Sequence, residues 1–201
     1  MKVVDPARVE TPIGYVDLQR TRLNAKKIAS YAEAHGLKWR PHVKTHKCRL
    51  IAEIQLDAGA TGVTVATLRE AEVMSTVTQD LVLAYPPVGR PKLERLTQLP
   101  PELDLKVALD SSEVLQPLAA AAASADRQVG VLIERDVGLG RVGVQSVEEV
   151  LQLATLAQNL EGVDFRGILF YPGQIRMAEL EQDTYVREVA SLVEEMTMAL
   201  D

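Results

Sequence analysis

The chain has 201 residues, of which 47% are hydrophobic and 25% charged, a composition typical of a globular protein with a sizeable core. Its net charge of −6 argues against a nucleic-acid surface, because binding phosphate groups requires clustered Lys and Arg. A single cysteine, Cys48, excludes an intramolecular disulfide and a zinc site built from several cysteines.

The first 36 residues predict a lead-in segment ahead of the main domain, residues 37–201. Thr11-Pro12 predicts an extended start, followed by a strand at Tyr15–Leu18 and a helix at Arg20–His35. The opening MKVVDPARVE lacks the apolar core of a signal peptide, and no stretch approaches the roughly 18 to 20 apolar residues that span a membrane. We therefore expect a cytoplasmic protein without a membrane partner.

From residue 37 onward, short apolar runs rich in β-branched residues alternate with longer segments of helical composition. The predicted strands are Leu37–Lys44, Gly62–Ala66, Leu81–Tyr85, Leu105–Asp110, Val129–Asp136 and Phe165–Tyr171. The predicted helices include Cys48–Asp57, Leu68–Met74, Glu113–Ala125, Val147–Leu160 and Asp183–Leu200. Two helix starts, Thr67 with Glu70 and Ser146 with Glu149, fit the capping-box pattern. Strands alternating with helices predict βαβ units and a parallel sheet.

Two parallel architectures fit this order, an open doubly wound sheet and a (β/α)8 barrel. We count six βα units and find no Gly-rich phosphate turn after the first strand, which favours the barrel. A closed barrel needs eight strands and typically about 250 residues. The prediction is therefore a (β/α)8 barrel truncated after about six units, since the sequence stops within the helix that follows the sixth strand.

In such a barrel the active site lies where the strands end at their carboxyl edge. The residues that close the six predicted strands are Lys44, Thr67, Tyr85, Asp110, Asp136 and Tyr171. Asp110 and Thr67 are interpreted first as helix caps. Tyr85 precedes Pro86-Pro87, and its ring is as compatible with packing against that loop as with contacting a ligand.

Lys44 is the strongest candidate for chemistry on the residue pattern. Alternation places Arg40, His42 and Lys44 on one face of the first predicted strand. If that face is the interior, crowded cations and loss of water both favour a neutral lysine amine, which a Schiff-base lysine requires. The alternative is a solvated basic edge, which fits Lys47 and Arg49 better.

The run Arg40–Lys47 (RPHVKTHK) resembles the pyridoxal-phosphate lysine motif of the D-threonine aldolase and eukaryotic-type D-serine dehydratase family, within the alanine-racemase-like barrels. The resemblance covers nearly the whole chain. It continues through Asp17-Leu18, Gln55–Ala60, Val65–Thr67, Glu70–Glu72, Glu134–Gly143 and Gly167–Gly173.

The resemblance implies a pyridoxal 5′-phosphate cofactor bound covalently by Lys44. Arg141 is expected to hydrogen-bond the phenolic oxygen of the cofactor and Tyr171 to lie beside its ring, with His42 and Thr67 lining the same mouth. It also implies a homodimer that acts on small amino acids. A divalent metal, manganese or zinc, is expected only through a C-terminal β-domain that this chain does not include, so we expect no metal ligand here.

Two other motifs carry less weight. Gly138–Gly143 satisfies the G-x-G-x-x-G pattern, but the next helix is expected only from Ser146, so no helix N-terminus follows the turn to hold a pyrophosphate. His42 and His46 are four residues apart, but they straddle the end of a predicted strand rather than one face of a helix, so a zinc site is not indicated.

The resemblance implies cleavage of a bond at the substrate α-carbon and leaves three outcomes open. These are retro-aldol cleavage of a β-hydroxy-D-amino acid to glycine and an aldehyde, β-elimination from D-serine, and racemisation; the aldolase leads on overall similarity. A non-catalytic cofactor carrier, an inactive fragment and a cofactor-free Schiff-base aldolase are the remaining alternatives.

Gln174 stands where the resemblance leads us to expect a histidine, and glutamine cannot transfer protons near neutral pH. For the 201 residues alone we expect weak cofactor binding, no turnover and aggregation at unpaired sheet edges.

Overall fold

The computed structural model describes residues 5, 8–10 and 12–200, so Thr11 of the expected lead-in lies outside the described residues. Five parallel strands form one sheet in chain order: β1 Val63–Val65, β2 Asp80–Leu83, β3 Asp104–Leu109, β4 Val129–Arg135 and β5 Val163–Phe170. The helices are α1 Leu18–Ala34, α2 Arg49–Asp57, α3 Leu68–Met74, α4 Arg90–Thr97, α5 Ser112–Ser124, α6 Val147–Gln158 and α7 Asp183–Leu200. The strands lie side by side in chain order, as in the wall of a (β/α) barrel, whereas the strand order of a doubly wound sheet reverses partway across the sheet. The structure therefore confirms the barrel-type fold class.

The core lies between the sheet and the helices that cover its outer face. The side chains of Val63, Leu81 and Leu105 stand in register on β1, β2 and β3 and are almost fully buried. The inward-facing residues that alternate with them include the smaller Thr64 and Ala66, which leave space on the concave side. The alternation thus separates a packed outer core from an open inner face.

The first predicted strand, Leu37–Lys44, is wrong in its bounds and in its ending. This segment is extended but makes a single bridge to the sheet, between His42 and Thr64. Pro41 has no N–H to donate to a ladder, which limits pairing at this edge. Lys44 does not close a strand; it lies in a one-turn 3-10 helix, Val43–Thr45.

Two further expectations need correction. No strand forms at Tyr15–Leu18, because the Asp17 side chain accepts the Arg20 N–H at 3.0 Å and starts α1 there. Helix α4 was not predicted, although Pro91 at its start was an available signal. The capping box at Ser146 is complete.

An ion network occupies the inner face near the amino edge of the sheet. Asp80 accepts two hydrogen bonds from Arg40, at 2.7 and 2.6 Å, and one from Lys106 at 2.7 Å. Burial favours the neutral acid, but hydrogen bonds and charge from these two cations outweigh it and lower the pKa of Asp80. This network ties the extended segment at Arg40 to strands β2 and β3.

A β-bulge interrupts the pairing of β4 with β5. Val131 pairs with Phe165 but the next residue, Leu132, pairs with Gly167, so one extra residue, Arg166, stands in β5. Residues after the bulge are shifted by one position relative to those before it.

Candidate functional site

A cavity of about 690 Å³ opens on the inner face at the carboxyl edge of the strands. Four of the five predicted site residues line it: His42, Lys44, Arg141 and Tyr171. Thr67 does not. It lines an adjoining cavity of about 380 Å³, and its hydroxyl accepts the Glu70 N–H at 3.2 Å as the cap of α3. The other lining residues are Arg40, Thr64, Ala66, Ala84, Tyr85, Pro86, Glu134, Val142, Leu169 and Phe170.

Two cations approach the ring of Tyr171 within this cavity. The Lys44 Nζ lies 6.0 Å from the ring centroid, and the Arg141 Cζ lies 5.1 Å from it. Both distances fall within the range in which the π face attracts a cation. Three of the residues expected to contact the cofactor are therefore neighbours, although about 30 to 130 residues separate them along the chain.

His42 supports the backbone of Lys44 and adds little positive charge beside it. Its Nδ1 accepts the Lys44 N–H at 3.3 Å. Burial lowers the pKa of His42, the Lys44 charge lowers it further, and Glu70 and the Thr64 backbone oppose this only in part. At neutral pH the ring is neutral, as an acceptor from the Lys44 N–H requires.

Arg141 stands on a loop that two aspartates hold in shape. Asp136 accepts hydrogen bonds from Gly138 N–H at 3.0 Å and Gly140 N–H at 3.1 Å, while Asp110 accepts the Gly143 N–H at 2.9 Å. Asp110 thus anchors this loop and does not cap α5, whose N-cap is the next residue. The turn leads into α6 only after the last glycine, as expected.

Gln174 also packs against this loop. Its Nε2 donates to the Val137 carbonyl at 2.6 Å, and a Cβ added at Gly138 would lie 3.0 Å from the same nitrogen. Gln174 therefore connects the segment after β5 to the start of the Arg141 loop, a structural contact that involves no proton transfer.

Glu134 is a buried cavity residue that the sequence interpretation missed. It is 4% exposed, and its Oε1 lies 3.5 Å from Nη2 of Arg141. Burial raises the pKa of Glu134, Asp110 and Asp136 add to that effect, and Arg141 offsets part of it. Alternation along β4 could have found it, since Gly130, Leu132 and Glu134 share the inward face.

Other surfaces offer less chemistry. A groove of about 670 Å³ between α4 and α5 is lined mainly by apolar residues and exposed carboxylates such as Glu94 and Glu113. Within residues 5, 8–10 and 12–200, no three His, Cys, Asp or Glu side chains converge on a possible metal position. No helix in that part of the chain is long and apolar enough to cross a membrane.

The cavity has the size and the mixed lining of a small-molecule site. Its volume lies within the roughly 300 to 1,000 Å³ typical of small-molecule sites. Lys44 offers an amine, Arg141 offers hydrogen-bond donors, and Val142 and Leu169 form an apolar wall. Fold and site together define a (β/α)-barrel domain with a lysine at the carboxyl edge of its sheet.

Comparison with known proteins shows the family. Residues 16–201 match the model of the alanine racemase N-terminal domain, and the chain belongs to this family. It is 37% identical to a D-threonine aldolase of Arthrobacter sp. over 174 residues, 86% of this chain and 46% of that protein. It is 34% identical to a D-threo-3-hydroxyaspartate dehydratase of Delftia sp., covering 82% of this chain and 44% of that protein.

A solved D-threonine aldolase from Filomicrobium marinum matches with a TM-score of 0.91 and 29% identity, covering 97% of this chain and 53% of that one. The chain thus spans about half the length of the proteins it matches. The resemblance stated from the motifs is confirmed at the level of the family.

Proposed function

We propose that this chain is the cofactor-binding part of a pyridoxal-phosphate-dependent lyase that cleaves β-hydroxy-D-amino acids to glycine and an aldehyde. The observation that carries the proposal is the convergence of Lys44 and Arg141 on the ring of Tyr171 in one cavity. The similarity to a D-threonine aldolase over 86% of the chain supports the same assignment.

Each residue has a part that follows from its position. Lys44 supplies the amine for covalent attachment and carries it on a turn fixed by His42. Arg141 donates hydrogen bonds from a loop preset by Asp110 and Asp136, so little reorganisation accompanies binding. Tyr171 forms one wall of the site beside both cations. Pyridoxal phosphate, when bound, supplies the electron sink for bond cleavage at the substrate α-carbon.

A dehydratase is the second candidate, because the Delftia relative that eliminates water from its substrate is almost as similar as the aldolase. Both reactions act on a β-hydroxy amino acid and need the same attachment of substrate. They differ in the bond that breaks, Cα–Cβ in the aldolase and Cβ–O in the dehydratase. Products separate them directly.

The test uses the full-length protein with pyridoxal phosphate. We expect a yellow protein that borohydride bleaches and marks covalently at Lys44. Lys44→Ala should abolish the colour, and Lys38→Ala, an exposed lysine of the same segment, should keep it. A wild-type protein that stays colourless with the cofactor supplied would refute the proposal.

Assays of D-threonine, D-serine and D-alanine, each with and without manganese or zinc, then identify the reaction. Glycine and acetaldehyde from D-threonine support the aldolase. Keto acid and ammonia indicate the dehydratase, and L-alanine from D-alanine indicates racemisation. A protein that binds the cofactor but turns over none of these substrates would identify a carrier.

A further inference from the structure

A buried carboxylate links the segment that carries Lys44 to the rest of the barrel wall. The Glu70 side chain, on α3, is 6% exposed. Its Oε2 accepts the Ala66 N–H at 2.8 Å, just after β1, and its Oε1 lies 3.2 Å from Nζ of Lys47. This is not the reciprocal capping box expected at Thr67, because the carboxylate bonds to Ala66 instead. Burying a carboxylate costs several kcal/mol unless it is paired, so the contact to Lys47, whose own side chain is 64% exposed, stabilises this arrangement.

Lys47 makes that contact from a strained backbone. Its φ is +48°, and among the described residues only Lys47 and Asp126 combine a positive φ with a side chain. Its N–H donates to the Val43 carbonyl at 2.7 Å, which closes the turn. A glycine would adopt this conformation without the roughly 1 kcal/mol penalty that a side chain incurs. The residue at this strained position is the one whose side chain forms the ion pair with Glu70.

The turn so closed is the one that carries Lys44. On one side of Lys44, His42 bridges to Thr64 in β1. On the other side, three residues along, Lys47 is joined to Glu70. Val43 between them is fully buried. The backbone of Lys44 is therefore held at both ends, and the second attachment is an ion pair.

We propose that Lys47 and Glu70 are positioning residues that fix the Lys44 turn for covalent capture of the cofactor. This inference rests on the proposed function. In the captured state the Lys44 amine forms a C=N bond to the aldehyde carbon and gives up two protons to the departing oxygen, which becomes water. The amine must approach the carbonyl along a defined direction, so a loosened turn slows the step even where the fold persists.

Lys47→Gly and Glu70→Gln together separate positioning from stability. Lys47→Gly leaves the buried Glu70 carboxylate unpaired, which lowers the free energy of unfolding, and relief of the strained φ offsets about 1 kcal/mol of that loss. Glu70→Gln keeps an oxygen for Ala66 N–H and loses the charge. In both variants of the full-length apoprotein we expect the second-order rate constant for covalent binding of pyridoxal phosphate to fall about tenfold, measured by the rise of yellow absorbance on rapid mixing. Lys47→Arg keeps the positive charge and should therefore bind the cofactor at most of the wild-type rate.

Two matched variants control the result. Asp126→Gly relieves the same backbone strain far along the chain from Lys44, and Glu94→Gln removes an exposed ion pair with Arg90. Both should bind at the wild-type rate. Wild-type rates in Lys47→Gly would overturn the inference, as would a loss of rate that follows unfolding free energy alone across all variants. A wild-type protein that never turns yellow would instead refute the proposed function.

Discussion

Replacing Glu134 by glutamine should make the stability of the protein less dependent on pH. Burial raises the pKa of Glu134, so the folded state binds this proton more tightly than the unfolded state does. Such a group contributes its full stabilisation below the ordinary glutamate pKa of about 4.3, and that contribution is lost as the pH rises through the folded-state pKa. A glutamine of the same shape cannot ionise and removes this dependence. The advantage of Glu134→Gln over wild type should therefore grow with pH above about 4.3.

The size of the effect follows from burial and from the one nearby cation. Each unit by which the pKa is raised is worth about 1.4 kcal/mol. Attraction between unit charges at the 3.5 Å separation from Arg141 is about 1 kcal/mol in water and about 5 kcal/mol at an effective dielectric constant of 20. The Arg141 side chain is 50% exposed, which places its contribution towards the lower figure. We expect a net gain of about 1 kcal/mol for the variant at neutral pH.

Urea unfolding of the full-length apoprotein between pH 4 and pH 8 measures this difference. Glu94→Gln, at an exposed ion pair, should follow the wild-type curve within about 0.5 kcal/mol. A stability difference that stays flat or shrinks as the pH rises would refute the reasoning. It would mean that Arg141 compensates the buried charge fully.

Three further substitutions, at residues that support the cavity, can be tested by the same unfolding assay. Asp80→Asn should cost about 2 to 3 kcal/mol at neutral pH, because Arg40 and Lys106 lose their shared carboxylate. That loss should stay constant down to about pH 4 and shrink below it, as the pH falls through the lowered pKa of Asp80, so unfolding of this variant is also measured below pH 4. A loss that stays constant there as well would contradict the charge argument. Gly143→Ala should cost at least about 2 kcal/mol and weaken cofactor binding, because φ is +106° and a Cβ would lie 2.4 Å from a backbone nitrogen. Ser146→Ala should cost about 1 kcal/mol through the lost cap and leave cofactor binding unchanged.

Local patterns predicted the elements whose signals are complete within a short stretch. The bounds of α3 and α7 agree with the prediction, since the Thr67 cap marks the start of α3 and apolar spacing defines α7. The extended segment before Lys44 was assigned as a strand because its alternation is regular. Pairing depends on a partner and on a free N–H, and Pro41 removes one of these. Alternation alone contains no information about the partner.

The site residues divide in the same way, into those that local motifs predict and those whose roles depend on distant contacts. The family resemblance predicted five site residues, of which four line one cavity and Thr67 lines the adjoining one. The roles of Glu70 and Glu134 depend on contacts across segments, to Lys47 and Arg141 respectively. In the sequence Glu70 fits a helix cap and Glu134 an ordinary strand residue. Neither pattern specifies a distant cation.

The bulge at Arg166 shifts the residues after it by one position, including Tyr171 just past the end of β5. Asp164, before the bulge, and Tyr171 are separated by seven residues, an odd number, so a regular strand would turn them to opposite faces. The extra residue changes that parity and places the Tyr171 ring in the cavity. With the chain length unchanged, a regular pairing of β4 with β5 would exchange the inner and outer faces of everything after residue 166, even with every side chain of the site still present. Deleting Arg166 would instead join Phe165 to Gly167 and leave those faces as they are.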